Sequence, residues 1–378
     1  MSMFIYEIVI RLFLTFILSL IVTPIVKLLA FRIGAYDAPS ERRINTKNMP
    51  TAGGLSIYFV FSFSCLVLFQ SIIPIDYIWP ILLGAGIVVA TGLIDDIYEL
   101  SPKKKTVGIL LGALVIYFVA EIRIDFVSLP FFGQIDLRWF SLPLTLFWIL
   151  AITNAINLID GLDGLASGVS IISLTTIGVI GYFFLHAKTV FIPIVIFVLV
   201  ASIAGFFPYN FYPAKVFLGD TGALFLGFMI AVMSLQGLKN ATFITVITPM
   251  IILGVPITDT VYAIIRRLMN KRPISSADKM HLHHRLLSLG FTHKGAVMTI
   301  YGLALVFSFV ALLFSYASNV GSILLIVFSA IGLELFIEMI GLVGENHQPL
   351  MYILRVFGNR EFRQQQMEKR LGKHSKKK

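Results

Sequence analysis

Thr189-Val190-Phe191-Ile192-Pro193-Ile194-Val195-Ile196-Phe197-Val198-Leu199-Val200-Ala201-Ser202-Ile203-Ala204-Gly205-Phe206-Phe207 runs without a single charged residue. A helix that crosses a bilayer needs about 17–25 such residues, so this stretch is suited to hydrocarbon rather than water. Ten further apolar stretches surround it, near residues 4–29, 51–71, 78–94, 106–122, 139–158, 166–185, 216–237, 241–265, 295–317 and 320–343. The whole chain of 378 residues follows the same pattern, with 57% hydrophobic and 13% charged residues and a mean hydropathy of +0.89. Soluble domains carry about 25% charged residues, so a water-soluble enzyme is excluded, as are disordered and collagen-like chains. Cys65 stands alone, which excludes a disulfide framework and any Cys-rich zinc or iron–sulfur site. The expected fold is all-α: a polytopic membrane protein with about eleven transmembrane helices.

The net charge of +10 invites a nucleic-acid partner, but its distribution points to a membrane instead. Counted over alternate loops, one set holds 25 Lys and Arg and the other only four. The positive-inside rule makes the rich set cytoplasmic, with the N-terminus outside and the C-terminus inside, which requires an odd number of helices. The first stretch is expected to be a retained helix, since it runs past twenty residues without a basic leader or a small-x-small cleavage site. Residues 121–140, with Pro130 and Gly133, are expected to form an outer loop or hairpin. Residues 1–344 are expected to form one transmembrane catalytic domain, followed by a basic cytoplasmic tail over 345–378 that favours anionic headgroups.

The acidic residues gather at helix ends on the basic side. In Gly92-Leu93-Ile94-Asp95-Asp96-Ile97-Tyr98-Glu99, a helix places Asp95 and Glu99 on one face with Asp96 one step round. Carboxylates this close repel unless a cation sits among them, and Lys103 to Lys105 offer a purely structural source of one. The run Asn154-Ala155-Ile156-Asn157-Leu158-Ile159-Asp160-Gly161-Leu162-Asp163-Gly164-Leu165 repeats a polar residue every three positions. Such a step drifts by about 60° on a helix, so Gly161 and Gly164 favour a break after Asp160 that presents carboxylates at the water edge. Asp220, in Phe217-Leu218-Gly219-Asp220-Thr221-Gly222, opens an apolar helix as an expected N-cap with a free oxygen for a cation.

The largest basic loop, 266–294, holds His281-Leu282-His283-His284 beside Arg266 and Arg285. No Cys or His-Glu-x-x-His partner completes a zinc site, whereas imidazole and guanidinium groups suit phosphates and sugar hydroxyls. The loop after the first stretch, from Asp37 to Gly54, adds Arg42, Arg43 and Lys47 beside a Pro/Gly turn. Carboxylates for Mg²⁺ and bases for phosphate on one face make the parts of a site for a diphosphate substrate.

Asp95-Asp96, the Asn154–Leu165 run, Phe217-Leu218-Gly219-Asp220 and His281-Leu282-His283-His284-Arg285 together resemble the polyprenyl-phosphate N-acetylhexosamine-1-phosphate transferases, of glycosyltransferase family 4 type. The resemblance implies transfer of GlcNAc-1-phosphate from UDP-GlcNAc to undecaprenyl phosphate, releasing UMP and starting a cell-surface polymer such as teichoic acid. It implies Mg²⁺ as cofactor, with Mn²⁺ as a substitute, on Asp220 with Asp95 and Asp96. Catalytic roles would fall on Asp95, Asp96, Asp160, Asp163, His281, His283 and His284. Substrate contacts would fall on Lys47, Thr51, Asn154, Asn157, Phe217, Arg266 and Arg285. The partners implied are these substrates and membrane lipid, without nucleic acid, and a homodimer is compatible with the resemblance. The site would face the cytoplasm from a multi-pass position in the cell membrane.

The His-x-His-His form resembles the N-acetylglucosamine branch, where the muramyl-pentapeptide branch carries three consecutive histidines. Asn45 departs from the family, whose relatives often place a histidine there. A single displacement by acceptor phosphate is expected, with a phospho-aspartate on Asp95 as the two-step alternative. Three rival readings fit the sequence less well. An intramembrane aspartyl protease needs a glycine where Phe217 stands, and a CDP-alcohol phosphotransferase needs an arginine missing from 160–167. A cation-coupled transporter needs acids near the bilayer midplane, and only Glu334 and Glu338 come close.

Overall fold

The computed structural model describes residues 2–37, 48–129, 133–184, 189–236, 243–271, 273, 280–342 and 348–358. Each of the eleven apolar stretches carries helix, and eight helices are long and apolar enough to cross a membrane. The eight correspond to α1 (Ser2–Ile33), α3 (Ile75–Tyr98), α5 (Ser141–Ile159), α6 (Leu165–Phe184), α7 (Phe191–Asn210), α8 (Gly219–Gln236), α12 (His293–Tyr316) and α13 (Asn319–Ile340). The chain is an all-α polytopic membrane protein.

The three remaining stretches fall short for visible reasons. Helix α2 (Gly53–Phe63) loosens into a π-helical segment over Ser64–Leu68. Helix α4 (Pro102–Phe118) begins only at Pro102, whose ring fixes φ and lacks an N–H. The stretch 241–265 divides at Leu253 into α9 (Phe243–Ile252) and α10 (Gly254–Met269), with Pro249 and Pro256 on either side of the break. Two short antiparallel pairs complete the regular structure. Strands β1 (Tyr36–Asp37) and β2 (Met49–Pro50) join, and β3 (Phe126–Leu129) with β4 (Gly133–Asp136) makes the hairpin expected over 121–140.

Backbone packing divides the chain into two compact units. The first, Met1–Thr260 with Thr292–Tyr316, is organised on α8, whose residues Thr221 to Gln236 are all buried. Helices α2, α3, α5 and α6 pack against it. Glycine lets α3 come close: a Cβ added at Gly92 would lie 2.5 Å from the Thr221 Cα. Close approach by small residues is how helices associate where lipid removes the hydrophobic drive between them.

The second unit, Val261–Phe291 with Ala317–Lys378, holds the end of α10, α11 (Leu282–Ser288), α13 and α14 (Pro349–Gly358). It supplies a use for Glu334 and Glu338, the acids nearest the bilayer midplane in the sequence reading. The Tyr262 hydroxyl donates to Glu334. The Glu338 carboxylate accepts the Leu350 and Met351 N–H groups at 2.8 and 2.7 Å, capping the start of α14. Both acids therefore serve packing among the helices of this unit. The tail expected over 345–378 holds helix α14, whose Tyr352, Ile353, Leu354 and Phe357 are exposed.

Candidate active site

A cavity of about 900 Å³ opens in the first unit where α3, α5 and α8 end. Its walls carry Asp95, Asp96, Asp160, Asp163 and Asp220 from three separate parts of the sequence, together with Asn157. The loop between α5 and α6 supplies two of these acids. Helix α5 stops at Ile159, Asp160 is its C-cap, and Gly164 takes φ +78°, a left-handed turn that favours glycine. The expected break after Asp160 is therefore present.

Backbone hydrogen bonds fix the mouth of α8. Phe217 N–H donates to Pro50 O at 2.8 Å, while Gly53 and Gly54 N–H groups donate to Phe217 O and Leu218 O at 3.1 and 3.0 Å. Gly219 takes φ +71°, and a Cβ there would stand 1.6 Å from the Thr51 carbonyl oxygen, so only glycine fits. Asp163 Oδ2 accepts the Ala214 N–H at 2.9 Å and braces the segment leading to Phe217. Asn210, buried and overlooked in sequence, donates to Val216 O at 3.1 Å and accepts from Ser167 at 2.7 Å. Thr51 also lines the cavity, with its hydroxyl oxygen buried and without a hydrogen-bond partner among the described residues.

Asp220 is not the N-cap anticipated from its position. It lies inside the first turn of α8, and Asp96 performs the capping from α3. Asp96 Oδ1 accepts the Asp220 N–H at 2.8 Å, and Oδ2 accepts the Thr221 N–H and hydroxyl at 3.0 and 2.5 Å. A carboxylate at a helix N-terminus satisfies orphan donors and meets the positive end of the helix dipole. Both Asp96 oxygens are thereby engaged at the start of α8.

Asp95 and Asp220 share a side-chain cation instead. Asn157 donates to Asp220 Oδ1 at 2.5 Å, leaving Oδ2 for Lys105 at 3.0 Å. Lys105 also pairs with Asp95 Oδ2, while Asp95 Oδ1 accepts the Leu100 N–H at 2.6 Å. Burial alone would weaken the Lys105 ammonium, but Asp220 and Asp95 override it and raise its pKa. Asp160 is held well above the ordinary carboxylate range, first by burial and then by the charges of Asp220, Asp96 and Asp163.

Glu99 does not share the helical face of Asp95; it leaves the helix with φ 49°. Asn154 turns its amide back to Leu150 O at 2.7 Å and is not among the residues lining the cavity. Lys47 lies outside the described residues, as do Arg42, Arg43 and Asn45. His281, His283, His284, Arg266 and Arg285 belong to the second unit. There His281 and His283 are buried, with ring planes 3° apart at 6.0 Å, and His284 lies 4.2 Å from His283. Arg266 Nη1 donates to Leu342 O at 3.1 Å, and Arg285 Nε donates to Ile340 O at 2.5 Å, gripping the end of α13.

The comparisons set this helical membrane protein with an acidic cavity among transferases. The family model described as glycosyl transferase family 4 matches residues 78–238, a span holding the cavity's acids from Asp95 to Asp220. The chain belongs to that family. It is 44% identical over 349 residues to a Bacillus subtilis (strain 168) protein named "Probable undecaprenyl-phosphate N-acetylglucosaminyl 1-phosphate transferase", covering 91% of this chain and 96% of that one. It is 31% identical over 319 residues to the decaprenyl-phosphate N-acetylglucosaminephosphotransferase of Mycolicibacterium smegmatis (strain ATCC 700084 / mc(2)155), covering 75% and 76%. A phospho-N-acetylmuramoyl-pentapeptide-transferase of Halalkalibacterium halodurans is 31% identical over 319 residues, covering 79% of this chain and 93% of its own.

Proposed function

We propose that the protein transfers GlcNAc-1-phosphate from UDP-GlcNAc to undecaprenyl phosphate, releasing UMP and leaving a lipid-linked sugar that starts a cell-surface polymer such as teichoic acid. The observation that carries this reading is the convergence of Asp95, Asp160, Asp163 and Asp220 on one cavity at the ends of membrane helices. The greater identity to the N-acetylglucosaminyl relative than to the pentapeptide relative supports the choice of sugar. The loop charges support a cytoplasmic site, an outside N-terminus and an odd number of crossings.

The donor set suits a hard divalent ion. Asp95 Oδ2 and Asp220 Oδ2 converge on one ammonium, which marks a single cation position between two carboxylate oxygens. Among the described residues no three His, Cys, Asp or Glu side chains could hold an ion alone. That accords with Mg²⁺, which takes one or two carboxylates and completes its shell with water and substrate phosphates. Bound there, Mg²⁺ (or Mn²⁺) would neutralise charge on the diphosphate.

The chain's own residues then orient the reaction. Phe217 lines the cavity with a half-buried ring, which this reading gives to the uracil; Asn157, Asp160 and Asp163 line it too, and the reading gives them to the nucleotide. Asp96 holds the start of α8, and with it Asp220, in place. The acceptor phosphate has a second pKa near 6 and attacks as an anion at neutral pH, so direct displacement at the sugar-bearing phosphorus needs no general base. The test offers purified protein Mg²⁺, undecaprenyl phosphate and, in parallel, UDP-GlcNAc or UDP-MurNAc-pentapeptide while UMP is measured. UMP from UDP-GlcNAc is expected. Turnover with the pentapeptide donor alone overturns the choice of sugar, and vesicle uptake without UMP release overturns the transfer.

A further inference from the structure

Lys105 is the basic residue that lines the cavity among the described residues, and the transfer reading assigns it no task. Seven acidic side chains and this one basic side chain line the cavity, among the described residues. Its Nζ pairs with Asp95 Oδ2 and reaches Asp220 Oδ2 at 3.0 Å. Those are the two oxygens allotted above to the divalent ion. The Asp95 side chain is only 2% exposed, whereas Lys105 is 26% exposed and sits in the first turn of α4 with room to withdraw. Lys103 and Lys104, its sequence neighbours, are exposed and line no part of the cavity.

Two carboxylates facing each other, Asp95 buried and Asp220 half-buried, demand a positive charge between them. An octahedral Mg²⁺ ion binds its oxygens at about 2.0–2.1 Å, and an ammonium bonded to the same two oxygens blocks the same space. We infer that Lys105 is a built-in counter-ion, which takes the divalent ion's place between Asp95 and Asp220 in the substrate-free protein and yields it when the ion binds. The inference rests on the metal reading of this cavity. Ion binding then becomes an exchange of one cation for another, and the displaced ammonium is free for a phosphate oxygen of the incoming substrate. The arrangement keeps the empty site from collapsing by repulsion, and it weakens metal affinity until phosphate arrives to accept the lysine.

The test measures Mn²⁺ binding by electron paramagnetic resonance on full-length protein in detergent, with no substrate present. Lys105→Gln should bind Mn²⁺ about tenfold or more tightly than the natural protein, as removal of one charge about 4 Å away implies. Lys105→Arg keeps the charge and should bind within about threefold of it. Lys103→Gln removes an equal charge from the same helix turn and should change nothing. Equal or weaker binding by Lys105→Gln overturns the inference, as does equal tightening by Lys103→Gln. A second measurement needs no variant: Mn²⁺ should increase acylation of the Lys105 amine, read by mass spectrometry, and unchanged or reduced labelling overturns the exchange. Undiminished Mn²⁺ binding in Asp220→Asn, or none in any protein, overturns the metal reading itself and separates that failure from failure of the exchange.

Discussion

The acidic cavity of the first unit and the histidine–arginine segment of the second are both polar clusters in an apolar chain, yet they spend their charges differently. In the cavity, like charges are forced together, and Asp95 and Asp220 share one lysine. In the second unit, Arg266 and Arg285 each use one N–H on a carbonyl at the end of α13, Leu342 O and Ile340 O. Basic groups at a helix C-terminus meet unsatisfied carbonyls and the negative end of the dipole, which is a stabilising use of charge. Crowded carboxylates raise the energy of the folded state, and their position at one cavity marks a site kept for binding. A charged residue in a membrane protein is thus read by what it touches rather than by its type.

Three variants can break or sharpen that contrast. Asp220→Asn keeps the shape and removes the charge shared with Lys105. UMP release should fall by about 10²-fold or more while the thermal unfolding midpoint stays near that of the natural protein, a loss typical of removing one electrostatic contact at a reacting centre. A near-normal rate would take Asp220 out of the chemistry. Arg285→Gln should do the reverse. It gives up a hydrogen bond from a charged donor, about 1.5–3 kcal/mol, so the midpoint should drop while the rate per folded molecule stays within a few-fold. Collapse of the rate with an unchanged midpoint would return Arg285 to the substrate.

The smallest effect concerns Asp160. Its folded carboxyl keeps a proton well above the ordinary range, chiefly through burial. The folded state therefore loses stability as pH rises past about 3.9, the value for an unfolded Asp. Asp160→Asn should be more stable than the natural protein at neutral pH, and the difference should vanish below about pH 3.9. Melts across that range check the sign, and a variant less stable at neutral pH would contradict it.

Much of the site was legible from the chain because membrane-embedded polar residues are costly and so mark themselves. Asp95, Asp96, Asn157, Asp160, Asp163, Phe217 and Asp220 all reached the cavity from motifs seen in sequence. The failures have local causes. The three-residue spacing could not show that drift around α5 would leave Asn154 bonded to Leu150 rather than facing the cavity. The pairing of Asp95 with Glu99 assumed a helix that ends one residue too soon. The division of labour between Asp95 and Asp96 was hidden, because it depends on the start of α8, more than a hundred residues away.

Length and apolarity by themselves determined that this chain lives in a membrane as a set of helices. Only the tertiary structure decided which helix is surrounded. The most polar of the eight long helices, Gly219–Gln236 with hydropathy 1.3, is 89% buried, while Val320–Ile340 with hydropathy 2.4 is 11% buried. Lipid tails accept leucine as readily as a protein core does, so apolarity cannot rank helices by burial. What ranks them is close backbone approach, as at Gly92 and Gly219, and the need to keep Asp220 among partners instead of in hydrocarbon.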